Sequence, residues 1–205
     1  KVLLINGSPH EKGCTYTALS LIAGELKAQG IETEILHVGG QPVGGCIGCG
    51  GCRSGNGCVF GGVVNEAIEK AKTADAFVFG SPVHYASAAG NMASFMDRLA
   101  YAGGKYLAYK PAAVCCSARR AGTTSTLDQL VKYPQFFHMP LVNGSYWAMV
   151  HGSNPEQVLQ DAEGCAVMQE LGRNMAWLLR CIEAGKAAGI DHPQNPPRPM
   201  TNFIR

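Results

Sequence analysis

The sequence of 205 residues has no long apolar run and no cluster of basic residues. A membrane-spanning helix needs about 18 or more consecutive apolar residues; because no such stretch is present, we expect no membrane partner. The formal net charge is +2, and Lys and Arg form no stripe along the chain, which argues against a surface that binds DNA or RNA. The first apolar run, residues 2–5, is too short for a signal peptide, so we expect a soluble, cytoplasmic protein.

Two common nucleotide-binding motifs are also missing. The turn at residues 7–13 contains glycines but has neither the G-x-G-x-x-G spacing of dinucleotide-binding folds nor the Gly-Lys-Ser/Thr ending of a P-loop. A nucleoside triphosphatase and a Rossmann dehydrogenase are therefore disfavoured.

The composition supports one α/β domain with a large core. Charged residues make up only 16% of the chain and hydrophobic residues 46%. The predicted strands are residues 2–5, 31–38, 74–79, 111–116 and part of 140–150. The predicted helices are residues 15–29, 63–73, 91–101, 123–136 and 155–184. This alternation predicts an open, five-stranded parallel sheet with helices on both faces.

We expect this domain to span residues 1–185, followed by a Pro-rich C-terminal tail at residues 186–205. A loop rich in glycine and cysteine interrupts the pattern at residues 39–62. Loops longer than about 15 residues without regular structure are uncommon inside compact domains and are usually functional. The loop is therefore a candidate site in its own right.

Three loops of small residues follow the first, third and fourth predicted strands, at residues 7–15, 80–90 and 117–122. In an open parallel sheet the carboxyl ends of the strands share one edge, and ligands bind at that edge where the strand order reverses. We therefore expect these three loops to meet around a bound ligand.

The loop at residues 7–15 has the groups that bind a phosphate. Free backbone N–H groups at the start of the first helix would donate hydrogen bonds to an anion, as would the hydroxyls of Ser8 and Thr15 and a protonated His10. The alternative is an ordinary helix start at which Thr15 acts only as the N-terminal cap.

Three motifs, in this order, resemble the NADPH-dependent FMN reductase-like branch of the flavodoxin fold. They are Gly7-Ser8-Pro9 with Thr15, Gly80-Ser81-Pro82-Val83-His84-Tyr85, and Phe95-Met96-Asp97-Arg98-Leu99. The resemblance implies a flavodoxin-like sheet with strand order 2-1-3-4-5 and non-covalently bound FMN. It also implies NAD(P)H as co-substrate and assembly into a homodimer or homotetramer.

The resemblance further implies which residues contact the flavin. Phosphate contacts fall on Ser8, His10, Cys14, Thr15 and Tyr16. Ring contacts fall on Pro82, Val83, His84 and Tyr85 and, in the third loop, on Ser117, Arg119 and Gly122. No side chain is predicted to be a catalytic acid or base, because the flavin carries the chemistry. His10 stands where Arg is common and Cys14 where Asn is common, so phosphate binding should be weaker or more sensitive to pH.

Four of the nine cysteines, Cys46, Cys49, Cys52 and Cys58, lie together in the glycine-rich loop. The spacing C-x2-C-x2-C-x5-C suits a [4Fe–4S] cluster, and four thiolates also suit Zn²⁺. The segment is similar to one carried by the iron–sulfur flavoproteins, a subgroup of the same fold. Free thiols or an adventitious disulfide are the remaining interpretation.

These observations lead to three hypotheses about function. The first is an FMN-dependent oxidoreductase that transfers electrons from NAD(P)H to a small-molecule acceptor such as a quinone, free flavin, azo or nitro compound. The second is an iron–sulfur flavoprotein that carries electrons between ferredoxin, the cluster and FMN. The third is a non-enzymatic thiol or metal redox sensor built on the four cysteines.

Overall fold

Strands and helices alternate along the chain in the computed structural model, which describes residues 1–197, 199–201 and 203. Within these residues the strands are β1 (Val2–Asn6), β2 (Thr33–His37), β3 (Ala76–His84), β4 (Ser87–Ala88), β5 (Ala112–Ala118) and β6 (Met149–His151). The helices are α1 (Cys14–Ala28), α2 (Val63–Thr73), α3 (Gly90–Gly103), α4 (Thr123–Phe136), α5 (Pro155–Val158) and α6 (Ala162–Ala187). Short 3₁₀ helices lie at Gly51–Ser54 and Gly104–Tyr106.

The sheet confirms the predicted flavodoxin-like fold. Its parallel strands follow the order β2-β1-β3-β5-β6, which is 2-1-3-4-5 when the parallel strands alone are numbered. β1 pairs over its full length with both β2 and β3, and the direction of strand succession reverses beside it. The described residues contain six strands rather than the predicted five, because the two-residue β4 pairs antiparallel with β3.

β3 is longer than predicted, since it runs to His84 and not only to residue 79. Residues 80–82 continue the parallel ladder to β5. Pro82 is compatible with this position because its fixed φ of about −65° suits extended backbone near the end of a strand. Residues 83–84 then pair with β4 across a two-residue turn. The segment predicted as a loop at 80–90 is therefore mainly strand and hairpin.

Two apolar layers cover the two faces of the sheet. In β1, Val2 and Leu4 pack into the layer formed with α1 and α6, while Leu3 and Ile5 pack into the layer formed with α2, α3 and α4. This alternation follows from the two-residue period of a strand. Burial of apolar surface contributes about 25 cal/mol per Å², so the packed layers stabilise the sheet. The loops at the edge of the sheet are left available for binding.

The predicted final helix, residues 155–184, is two helices in the structure. Asp161 interrupts it: its carboxylate accepts hydrogen bonds from the N–H of Gly164 at 3.0 Å and from the N–H of His151 at 2.7 Å. The first bond caps the start of α6, and the second ties that start to the end of β6. A side chain that caps a new helix and binds a neighbouring strand favours a break at this point.

The C-terminal segment contacts the body of the domain beyond the end of α6. The ring of His192 stacks on that of Tyr109, with ring centroids 4.4 Å apart, and the side chain of Asn195 donates a hydrogen bond to the Tyr109 hydroxyl at 2.6 Å. α6 extends to Ala187, two residues into the predicted tail. The division into a domain and a tail stays a prediction, and its last residues lie partly outside the described ones.

Within the described residues, every helix is too short or too polar to cross a lipid bilayer.

Candidate functional site

The three loops predicted to form the ligand site meet at the carboxyl ends of the strands. The N–H of Gly7 donates to the carbonyl of Gly80 at 2.9 Å, which joins the first loop to the extended β3. The hydroxyls of Thr15 and Ser117 are 2.8 Å apart, which joins the first loop to the third. These bonds lie beside β1, at the reversal of strand order where ligands bind in this class of sheet.

The start of α1 is suited to an anion. The first bond inside the helix runs from the N–H of Thr17 to the carbonyl of Gly13 at 3.0 Å, so the N–H groups of residues 14–16 precede the helical ladder. The first turn of α1 contains no acidic residue. Free N–H groups and the positive end of the helix dipole together favour a phosphate.

Thr15 does not cap α1, which contradicts the alternative interpretation of this loop. The N-cap residue is Gly13, with no side-chain hydrogen bond, and Thr15 lies inside the first turn. Its hydroxyl is buried and bonded to that of Ser117. Thr15 therefore contributes a backbone N–H at the helix start, while its side chain fixes the spacing of two loops.

Ser8 is braced by neighbours that the sequence did not reveal. Its backbone N–H donates to the side-chain oxygen of Asn6 at 3.1 Å, and its own hydroxyl oxygen accepts from the N–H of His10 at 3.1 Å. The Nε2 of His37 donates to the Ser8 carbonyl at 2.7 Å. Only the Ser8 hydroxyl proton remains to meet a phosphate, and the bracing holds that hydroxyl in place.

The other predicted phosphate contacts lie around the same turn. His10 is exposed, whereas Cys14 and Tyr16 are half-buried. The thiol of Cys14 lies 3.5 Å from the carbonyl of Gly152. Burial, with a smaller contribution from Glu156, raises the pKa of Cys14, so its side chain stays a neutral thiol at neutral pH and does not repel an anion.

The predicted ring-binding segment forms a strained hairpin. Tyr85 and Ala86, the two turn residues between β3 and β4, have φ values of 49° and 60°. Two positive φ values match a type I′ turn, which usually contains Asn and Gly. Each non-glycine residue in this conformation costs about 1–3 kcal/mol, and such strain is concentrated at functional sites. The Tyr85 side chain is fully exposed at the tip.

The third loop packs directly against this hairpin at Gly122. Gly122 has φ of 92°, and a Cβ there would lie 2.7 Å from the Cα of Ala86 and 2.9 Å from a methyl of Val83. The hydroxyl of Ser125 donates a hydrogen bond to the carbonyl of Ala86 at 2.7 Å and so stabilises the turn. Pro82 is half-buried in the same hairpin, while His84 and Arg119 are exposed at the edge. Two of the predicted ring-contact segments thus form one surface.

The four loop cysteines line a single cavity of about 170 Å³. Cys46 and Cys49 are exposed, and Cys52 and Cys58 are partly buried. The backbone turns repeatedly around the cavity, as the glycine content predicts. Positive φ values occur at Gly48, Gly50, Gly55, Gly57, Gly61 and Gly62.

The two kinds of metal site that four thiolates suit differ in the spacing of the sulfurs. Among the described residues, no group of three or more Cys, His, Asp or Glu side chains lies close enough to hold one metal ion. A tetrahedral zinc site with Zn–S bonds of about 2.3 Å would hold its sulfurs only about 3.8 Å apart. A [4Fe–4S] cluster binds each thiolate at a different iron atom, so it requires sulfurs spread around a larger volume. All four thiols line one cavity.

Side chains from α2 and α3 hold the cysteine loop in place. Asn91 donates to the carbonyls of Gly39 and Gln41 at 3.2 and 3.0 Å. Asn65 makes two bonds to the backbone of Cys58, one to its N–H at 2.8 Å and one to its carbonyl at 3.0 Å. The loop is therefore ordered by polar residues at helix starts, which the sequence analysis did not identify as part of the site.

The cysteine loop also touches the turn that carries Ser8, through Gly39. A Cβ at Gly39 would lie 2.1 Å from the carbonyl oxygen of Ser8 and 2.6 Å from that of Gly7. The backbones approach so closely that only glycine fits. This contact couples the start of the cysteine loop to the loop that carries Ser8.

Cys115 and Cys116 on β5 are structural rather than reactive. Both are buried, and burial raises the pKa of Cys116 to about 12 and that of Cys115 further. Their thiolates are not accessible at neutral pH, so these side chains act as small apolar groups.

Known proteins are similar to this chain in sequence. The sequence profile of the family described as NADPH-dependent FMN reductase matches residues 1–154. An iron-sulfur flavoprotein of Methanocaldococcus jannaschii is 27% identical over 191 residues, which cover 89% of this chain and 99% of that protein.

Solved structures with similar folds include two flavin-associated proteins. An NADH:FMN oxidoreductase in its apo form superimposes with a TM-score of 0.61 over 88% of each chain, at 20% identity. A flavodoxin from the domain Archaea superimposes with a TM-score of 0.59 over 87% of this chain and 98% of its own, at 13% identity. These similarities support the flavodoxin-like fold.

Proposed function

We propose that this chain, which belongs to the NADPH-dependent FMN reductase family and is thus an FMN-dependent oxidoreductase, is an iron–sulfur flavoprotein. In this proposal Cys46, Cys49, Cys52 and Cys58 hold a [4Fe–4S] cluster. The cluster exchanges single electrons with a ferredoxin-like partner, and FMN lies at the carboxyl edge of the sheet.

The observation that carries the proposal is the cavity shared by the four thiols. Its charged side chains are Arg53 and Arg98, and its lining contains no carboxylate. A cluster with four thiolate ligands has a net negative charge, so a cavity with only cationic charged groups suits it. The name of the Methanocaldococcus jannaschii relative agrees with this assignment.

The residues of the edge site bind and orient the flavin in this proposal. The N–H groups of residues 14–16 and the Ser8 hydroxyl hold the phosphate. The hairpin at Pro82–Tyr85 and the loop at Ser117–Gly122 position the ring and exclude water from one side. FMN supplies chemistry that amino acids lack, because it can accept electrons singly or as a hydride.

The surface around the cysteine cavity is suited to binding a protein partner. Four large apolar side chains that line the cavity are also exposed: Ile47, Val59, Phe60 and Tyr101. Exposed apolar groups gathered in one place commonly mark a protein interaction site. We assign this surface to the electron-transfer partner, and assembly into a homodimer or homotetramer stays a prediction.

A second candidate function is direct reduction of FMN by NAD(P)H, followed by reduction of a small-molecule acceptor. Arg119 and Arg120 favour it, because both are exposed at the edge next to the ring-binding hairpin, where they can meet a nucleotide phosphate. The thiol-sensor hypothesis needs no flavin and leaves the edge site without a role.

Replacement of Cys49 distinguishes the two candidate functions. Cys49→Ser removes one ligand from the proposed cluster, so FMN reduction by a reduced low-potential ferredoxin should slow by about 100-fold or more, as expected when a required group is lost. Reduction by NADPH should not change. Cys181→Ser is the matched control, because Cys181 is an exposed cysteine on α6 far along the chain from the loop.

The measurement is anaerobic stopped-flow absorbance of the flavin with each donor in turn. Equal rates with ferredoxin for Cys49→Ser and Cys181→Ser would contradict the proposed route. If NADPH alone reduces the wild-type protein, direct reduction by NAD(P)H becomes the function.

A further inference from the structure

Arg98, on α3, is a buried cation that faces the cysteine loop. Only 6% of its surface is exposed. Its Nε donates to the sulfur of Cys58 at 3.3 Å, and its two terminal nitrogens donate to the carbonyls of Gly61 at 3.0 Å and Gly44 at 3.4 Å. The guanidinium also lies 5.6 Å from the ring centroid of Phe60. One side chain therefore holds both ends of the cysteine segment.

No carboxylate of the described residues forms an ion pair with Arg98. The adjacent Asp97 is engaged elsewhere, since it accepts a hydrogen bond from the hydroxyl of Tyr133 at 2.6 Å. Arg stays protonated in proteins, so the charge of Arg98 persists inside the fold. A buried charge is expensive unless an opposite charge lies nearby.

The thiol of Cys58 is the group in contact with Arg98 that can supply this opposite charge. As a thiol it is neutral, whereas as a ligand to iron it is a thiolate. Arg98 is the charged side chain that contacts the sulfur of Cys58, at 3.3 Å. The position of the fourth ligand therefore lies beside a buried positive charge.

We propose that Arg98 is the counter-charge of the [4Fe–4S] cluster: it fixes Cys58 as the fourth ligand and raises the reduction potential of the cluster. This inference rests on the proposed function, because it assumes that the four cysteines hold a cluster. Arg98 is a positioning residue in this role and does not itself accept electrons.

In a cluster held by these cysteines, reduction by the ferredoxin-like partner would add one electron and therefore one unit of negative charge, and Arg98 would keep its proton throughout. A fixed positive charge and an N–H bond to a ligand sulfur both stabilise the more negative state. Reduction is therefore easier with Arg98 present.

The test compares three variants of the full-length protein, purified anaerobically with both cofactors. Arg98→Gln removes the charge and keeps one donor, whereas Arg98→Lys keeps the charge and loses the planar fork. Arg53→Gln is the matched control, since it removes the same charge from the same cavity at an exposed position. The readouts are the cluster potential, by redox titration with electron paramagnetic resonance, and the iron, sulfide and FMN content.

We expect Arg98→Gln to lower the equilibrium constant for cluster reduction by about tenfold, which is about 59 mV for a one-electron couple. Arg53→Gln should change it less than about twofold, because solvent and salt screen an exposed charge. Arg98→Lys should remain within about threefold of the wild type, since a nearby ammonium supplies the same charge. All variants should retain FMN.

Two results would overturn the inference while the proposed function survives. One is a cluster in Arg98→Gln with the same potential as in Arg53→Gln. The other concerns the case in which Arg98→Gln loses iron but keeps FMN. Arg98→Lys must then retain the cluster, because it keeps the positive charge. Loss of the cluster from Arg98→Lys as well would show that the charge of Arg98 does not hold the cluster. A wild-type protein that contains FMN but no iron or sulfide would contradict the proposed function, and with it this inference.

Discussion

Replacement of Gly39 by alanine should weaken FMN binding by about 50-fold or more, because displaced binding groups lose most of their interaction energy. The added methyl group would lie 2.1 Å from the Ser8 carbonyl oxygen and 2.4 Å from its carbonyl carbon. These are backbone atoms and cannot rotate away, so the turn that carries Ser8, the proposed phosphate site, must move. Overpacking of this kind also destabilises a fold by about 1–3 kcal/mol.

Gly44→Ala is the control for this experiment. Gly44 lies in the same loop, and a Cβ there has no atom within 4 Å, so alanine fits without displacement. Titration of the apo forms with FMN, followed by quenching of flavin fluorescence, gives both Kd values, and urea unfolding gives both stabilities. Equal Kd values for the two variants would show that the cysteine loop does not position Ser8.

Substitution of Tyr16 by glutamate should separate helix stability from phosphate binding. Tyr16 is the third residue of α1, which has no acidic residue in its first turn. A carboxylate there interacts favourably with the helix dipole by about 0.3–1 kcal/mol, so the apo protein should be as stable as the wild type or slightly more so. A bound phosphate would be repelled by about 2 kcal/mol, which is about 30-fold in Kd.

Riboflavin provides the decisive comparison, because it lacks the phosphate and keeps the ring. Tyr16→Glu should weaken FMN binding and leave riboflavin binding within about twofold, since the added charge is screened beyond the helix start. Tyr16→Gln is the neutral control, because it also loses the aromatic ring but adds no charge. It should bind both ligands as the wild type does. A Tyr16→Glu variant that loses affinity for both flavins equally would place the phosphate elsewhere.

Local patterns in the sequence were sufficient to predict the layered fold. The apolar run at residues 2–5 predicts a strand buried on both faces, and β1 packs in this way between two apolar layers. The spacing of the four cysteines predicts that they act together, and all four line one cavity. Both predictions depend on residues close together in the chain.

Contacts between distant residues could not be predicted in this way. Asn65 and Asn91 hold the cysteine loop from α2 and α3, but on a single sequence they look like ordinary polar residues of amphipathic helices. Arg98 belongs to the third motif of the sequence, but nothing in that motif predicts its contact with Cys58. The extension of β3 through Pro82 was missed because proline after glycine and serine usually ends a strand. The pairing register with β5 keeps residues 80–82 in the strand. This register exists only in the folded chain and cannot be read from the local sequence.

The central claim is that one chain holds both FMN and an iron–sulfur cluster. Its most direct test is the content of FMN, iron and acid-labile sulfide in wild-type protein purified without oxygen, read together with the ultraviolet–visible spectrum. The account predicts about one FMN and about four iron and four sulfide per chain, with cluster absorption that bleaches on reduction. Protein that contains FMN without iron or sulfide, even after anaerobic reconstitution, would contradict it and leave the four cysteines as thiols.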